Sequence, residues 1–212
     1  MRYSRHSFSR FIPMLLVIII TIVAIAAVLA IGQALLGGGT KKEPPTQADP
    51  GKEALLSSDL SRSVRVTVRG PIVADEKFRS YQITVAPNTR TMTTHEGYLE
   101  KQLEAKTFDN NTKAYEELVY ALDKRKMMDG RPLPDDKNDL RGICATGKVY
   151  KFETLMNGEP VKTLWTSDCS GSKGSAAASV HEILDMFLKQ IPEGKKMAAS
   201  VGLNQQETPF RL

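Results

Sequence analysis

The chain has 212 residues, 41% of them hydrophobic, and carries 29 Lys and Arg against 24 Asp and Glu, a formal net charge of +5. Arg2, Arg5 and Arg10 account for much of that excess: without them the balance is 26 to 24, and no run of basic residues interleaved with aromatics follows, which sets nucleic-acid binding aside. Three histidines, one of them the N-terminal His6, leave little from which to build a metal site.

Phe11 to Leu36 contains no charged residue. At about 1.5 Å of rise per residue such a run reaches roughly 39 Å as a helix, enough to cross a hydrocarbon core of about 30 Å with some tilt. The sequence therefore predicts a transmembrane helix over 11–36, with the lipid bilayer as its partner. Arginines before the span and the quickly diluted Lys41 and Lys42 after it predict a cytoplasmic tip, 1–10, and an extracytoplasmic remainder. A cleaved signal peptide is the alternative, but its apolar region runs to only about 7–15 residues, and the small-residue candidate Ala30-Ile31-Gly32 lies inside the apolar run.

Residues 37–62 are rich in Gly, Pro, Lys and Thr and read as a flexible stalk holding the domain about 25–30 Å from the bilayer on average. Leu55, Leu56 and Leu60 mark a short helix at its outer end. Residues 193–212 read as a mobile tail. Between them, 63–192 has the size of a single-core domain that folds without several disulfides.

Within that domain Val64, Val66 and Val68 alternate up to Pro71, Tyr81, Ile83 and Val85 alternate up to Pro87, and Thr89 to Thr94 follows the turn, predicting three strands. Asn110-Asn111-Thr112 offers N-cap oxygens for a helix near 112–128, ended by Gly130 and Pro132; the same three residues form a glycosylation sequon. Asn157-Gly158 predicts a two-residue hairpin turn between Val149–Leu155 and Val161–Ser167. Pairing Met156 with Glu159 sets Glu153 opposite Lys162, Phe152 opposite Thr163 and Tyr150 opposite Trp165, so that charges share one face and aromatics the buried other. Pro160 predicts an edge strand.

In that register Cys169 opposes Thr146, and Cys144 is its diagonal neighbour, about 7–8 Å away. A bulge would bring the pair within disulfide range, and a Cys144–Cys169 bond is the expectation for a domain outside the cytoplasm. Two buried free thiols, or one reactive thiol, are the alternatives. A last helix from about Ser175 carries Val180, Ile183, Leu184, Phe187, Leu188 and Ile191 on one stripe, with Ser179 and Glu182 at capping-box spacing. The fold class is α+β: an antiparallel sheet with two helices on one face, in the order β-β-β-α-β-β-α.

Candidate chemistry is sparse. Ser170-Gly171-Ser172-Lys173 has S-x-x-K spacing, in which Lys173 would deprotonate Ser170 for hydrolysis, but two glycines favour a loop over the helix this needs. The same glycines before a helix suit an anion, without forming a Walker A motif. His181-Glu182 and His95-Glu96 each lack the second His of a zinc-protease helix, and Asp135, Asp136, Asn138 and Asp139 lack the Gly and Glu of an EF-hand. No catalytic residue and no cofactor is expected. Tyr98, Lys101, Arg131 and Arg141 are candidates for contact with an envelope protein or wall polymer.

The strings Arg69-Gly70-Pro71-Ile72-Val73-Ala74-Asp75, Arg141-Gly142-Ile143-Cys144-Ala145-Thr146-Gly147, Leu164-Trp165-Thr166-Ser167-Asp168-Cys169 and Gln190-Ile191-Pro192 resemble a family of N-terminally anchored, single-pass extracytoplasmic proteins from small-genome, host-associated bacteria. The resemblance covers the outer domain; it implies a compartment and no active residues. The order of strands and helices is also similar to that of small proteinaceous inhibitors of metalloproteases, an analogy of fold alone. The expected function is a non-catalytic binding or structural module of the cell envelope, with an anchored hydrolase using Ser170 and Lys173, or a protease inhibitor, as alternatives.

Overall fold

The computed structural model describes residues 17, 19–22, 24, 25, 49–134 and 138–204. The chain divides into two units, Met1–Gln47 and Ala48–Leu212. In the first, the described residues Val17, Ile19–Ile22, Ala24 and Ile25 are helical, and the Thr21 hydroxyl donates to the Val17 carbonyl one turn back at 2.6 Å. The remainder of the predicted 11–36 span lies outside the described residues, and among those described no helix is long and apolar enough to cross a membrane.

The second unit is α+β. Helix α1 (Pro50–Leu56) precedes four strands, β1 (Arg62–Arg69), β2 (Arg79–Val85), β3 (Thr89–Glu96) and β4 (Lys101–Asp109). Helix α2 (Thr112–Lys124), the hairpin β5 (Val149–Met156) and β6 (Glu159–Ser167), and helices α3 (Val180–Lys189) and α4 (Gly194–Ser200) complete it. The strands make one antiparallel sheet in the order β4-β3-β2-β1-β5-β6.

The alternations at 64–68 and 81–85 place Val66, Ile83, Met92, Phe152 and Leu164 on one face, and the stripes of α2 and α3 cover it with Tyr115, Leu118, Leu122, Ile183 and Phe187. Asn111 caps α2 as expected, its side-chain oxygen accepting from the Ala114 N–H at 2.9 Å. Ser179 stands at the N-cap of α3 without a side-chain bond, so the capping box does not form; Glu182 pairs with Arg125 instead.

Four expectations are corrected. The stalk ends earlier than residue 62: Asp49 opens α1, whose Ala54 and Leu55 are buried against the domain. The tail begins later than residue 193, because α4 and the turn after it bury Met197, Ala198, Val201 and Leu203. Strand β4 was not visible as an alternation; it lies at the sheet edge, exposes Leu103 and directs Glu104 and Lys106 toward the helix side, opposite Thr94 and Met92. The element order is therefore α-β-β-β-β-α-β-β-α-α.

The fourth concerns the hairpin. Met156 does pair with Glu159, but Leu155 pairs with Pro160, Val161 is skipped, and Lys162 falls opposite Thr154. Pro160 has no N–H to contribute, and a bulge at the next residue absorbs the interruption. Every later partner slips by one: Glu153 faces Thr163, Phe152 faces Leu164 and Tyr150 faces Thr166. Trp165 is thereby sent to the face opposite Tyr150 and Phe152, as a one-residue slip requires. There it nucleates a smaller core with Cys144 and Val149, covered by Leu133, Leu140 and Ile143 of the loop that precedes β5. The strand holding Pro160 is an edge strand, as expected.

Candidate functional site

At the end of the sheet where β1 finishes and β5 begins, the chain makes several crossings in little space. Cys144 and Cys169 are joined as a disulfide with their Cα atoms 5.4 Å apart, bracing the loop before β5 against the segment after β6. Gly147 passes so close that a Cβ there would meet the Cys144 sulfur at 2.8 Å. Arg69 donates to the Leu140 carbonyl at 2.7 Å and the Ile143 carbonyl at 3.1 Å, and the Ile72 N–H donates to the Ala145 carbonyl at 2.8 Å.

Beside the disulfide lies a cleft of about 640 Å³, lined by Pro71, Thr146–Lys148, Asp168–Gly171, Gly202 and Asn204. The Asp168 N–H donates to the Lys148 carbonyl at 3.0 Å, extending the β5–β6 ladder by one rung, so these two side chains leave the sheet on the same side. They do not pair with each other. Lys148 donates to the Asn204 carbonyl at 2.8 Å, while Asp168 accepts from the Tyr150 hydroxyl at 3.1 Å. Burial, then the Asp168 charge, pushes the Tyr150 phenol well above its ordinary range, keeping it a proton donor to that carboxylate.

Ser170 lines this cleft, and Lys173 does not. Residues 170–176 form a strap rather than a helix: the Lys173 carbonyl accepts from Thr166 Oγ1 at 2.9 Å, Ser175 Oγ accepts from the Trp165 N–H at 3.1 Å, and the Ser175 and Ala176 N–H groups donate to the Trp165 carbonyl. The Ser170-to-Lys173 stretch thus covers the outer edge of β6, and the helical spacing needed for a Ser–Lys pair is absent.

The other candidates disperse. His95 lies opposite Ser80 on the face away from the helices. Asp185, four residues beyond His181, is taken by Lys189 at 2.6 Å and Lys195 at 2.9 Å. Asn138 accepts from the Trp165 indole N–H at 3.1 Å, and Asp139 pairs with Arg141, whose guanidinium holds that carboxyl down to about 2. Asp135 and Asp136 lie outside the described residues. Among the described residues no three His, Cys, Asp or Glu side chains gather as metal ligands would. Tyr98 serves the fold: its ring stacks on Phe78 with centroids 4.1 Å apart, and its hydroxyl donates to the Val73 carbonyl at 2.7 Å.

No protein-family model matches the chain, and no curated protein matches its sequence.

The cleft combines fixed charge of both signs, the hydroxyls of Thr146 and Ser170, and glycine-lined walls. This is equipment for holding a polar group. Among the described residues, the Ser170 hydroxyl makes no hydrogen bond to a basic or acidic side chain.

Proposed function

We propose that this chain is a single-pass, membrane-anchored binding module of the cell envelope, with its N-terminus in the cytoplasm and its α+β domain outside. The observation that carries the reading is the Cys144–Cys169 disulfide in a domain that follows a 26-residue uncharged apolar run. Disulfides persist in oxidising compartments, and a span of this length would deliver the domain to one. The resemblance to anchored extracytoplasmic proteins supports the same compartment. The partner is an envelope protein or a wall polymer, or a short fragment released from one, and the cleft beside the disulfide is the place where such a ligand is recognised. The separation of Ser170 from Lys173 supports binding over hydrolysis.

The test is protease treatment of intact cells producing the full chain with a C-terminal epitope. Loss of the epitope without permeabilisation is the expected result. Protection in intact cells with loss after permeabilisation would overturn the outer location.

A further inference from the structure

Lys148 and Asp168 are directly opposed across the β5–β6 pair, project on one side of the sheet, and yet form no ion pair. Opposed charges on paired strands normally meet and gain from doing so. Here each is held by a different group: Lys148 by the carbonyl of Asn204 at 2.8 Å, and Asp168 by the hydroxyl of Tyr150 at 3.1 Å. Neither partner neutralises the charge it holds. The ammonium retains two protons to donate, and the second carboxylate oxygen of Asp168 retains its lone pairs. Both line the same cleft.

We propose that the cleft is a site for a short zwitterionic peptide, with the peptide carboxylate on Lys148 and its amine on Asp168; this rests on the binding reading above and specifies its ligand. Two opposite charges that line one polar cleft without pairing are complementary to a ligand carrying the reverse pair, and a ligand with one sign would be repelled by one of them. The volume of about 640 Å³ selects among zwitterions. It falls in the range of about 300–1,000 Å³ typical of ligand pockets and leaves a single amino acid loosely held, whereas a peptide of a few residues spans it. Thr146 and Ser170, which also line the cleft, bring hydroxyl-bearing side chains that can hydrogen-bond peptide groups. A Cβ built on Gly171 or Gly202 meets nothing within 4 Å, so the chain is uncrowded at these two lining positions.

The test is calorimetric titration of the full-length protein in detergent with trialanine, N-acetyl-trialanine, trialanine amide and free alanine. The expected result is saturable binding of trialanine, weakened about tenfold or more by blocking either end, with free alanine weaker than trialanine. Asp168→Asn keeps an acceptor for Tyr150, so the fold persists; this variant should bind trialanine about tenfold more weakly and no longer distinguish it from the N-acetylated form. Lys148→Gln should lose the distinction between free and amidated carboxyl ends in the same way. Absence of saturable trialanine binding, indifference of the native protein to blocked ends, or binding of alanine as tight as trialanine would each overturn the assignment. None of these outcomes bears on which side of a membrane the domain occupies, so the two proposals fail separately.

Discussion

The ammonium of Lys162 lies 2.6 Å from a carboxylate oxygen of Asp49, a residue 113 positions earlier and the first described residue of the folded unit. Lys162 is only 8% exposed and also donates to the Met128 carbonyl at 2.8 Å. The bulge at Val161 makes this contact possible: in the unbulged register Lys162 would have stood opposite Glu153, whereas opposite Thr154 it shares the helix-covered face with Val64 and reaches under α1. Burial pushes the Asp49 carboxyl upward, but the Lys162 ammonium and the Gly51 N–H outweigh it and hold it below the ordinary carboxylate range.

Lys162→Met should therefore loosen α1 while sparing the sheet. It leaves the Met128 carbonyl without its donor and Asp49 with only backbone partners, a loss of about 2 kcal/mol once the partial exposure of Asp49 is discounted. Urea unfolding should show the loss in the global midpoint, and amide exchange should show faster opening confined to 50–56 at low urea.

Glu153 carries a second dependence on charge. It is buried on the opposite face, with Arg65 Nε at 2.7 Å and Lys151 Nζ at 3.2 Å. Burial raises its carboxyl, and the two cations more than reverse that, so its folded pKa lies below its unfolded one. A depressed carboxyl contributes stability that is complete above the unfolded value and disappears as pH falls through the folded one. Stability should consequently decline as the pH is lowered below about 4.5, the ordinary value for Glu. Glu153→Gln should be less stable than the native protein near neutrality and should show a shallower decline across that acidic window, read from urea midpoints at a series of pH values.

The disulfide closes 25 residues of chain and holds the smaller core around Trp165. On the chain-entropy model a loop of this size is worth about 3 kcal/mol. Reduction, or the paired Cys144→Ser and Cys169→Ser change, should lower stability by that order. Trp165 is the sole tryptophan and 3% exposed, so its emission should shift to the red on reduction if the loop before β5 lifts away. An unchanged spectrum would mean that the Trp165 cluster stands without the bond.

Gly174 adopts φ +72°, and a Cβ there would meet the Trp165 carbonyl oxygen at 2.1 Å. Gly174→Ala should cost about 2–4 kcal/mol, because the strap over the β6 edge must shift as a whole to relieve the clash. Gly171→Ala, three residues away, meets nothing within 4 Å and should be near neutral. Thermal unfolding of the two variants side by side checks the difference.

Much of this fold was legible in the sequence because alternation and the 3.6-residue stripe both report burial on one side. That is why β1, β2, α2 and α3 stand near where the apolar residues put them. Strand β4 left no such trace: at an edge, with both faces partly solvated, it has no reason to alternate, and its Leu103 points outward. Leu55 and Leu56 marked a short helix, found at 50–56, but not its packing against the domain, and 194–200 was too short and too polar to display a stripe although Met197 is buried. The hairpin register failed by one residue because Asn157-Gly158 fixes the turn but not the bulge that Pro160 imposes beyond it. The disulfide survived that error because both cysteines lie past the bulge and near each other in either register. The cleft was not legible at all, since Lys148, Asp168 and Asn204 become neighbours only once the sheet end and the C-terminal turn are packed together.

The most direct measurement is thiol labelling of intact cells producing the full-length protein, using a membrane-impermeant maleimide before and after treatment with an impermeant reductant. No labelling of Cys144 or Cys169 is expected before reduction and labelling of both afterwards, which requires a closed disulfide on the outer side. Labelling before reduction would contradict the disulfide. Failure to label after reduction in intact cells, with full labelling once the same cells are lysed and reduced without denaturant, would contradict the outer location.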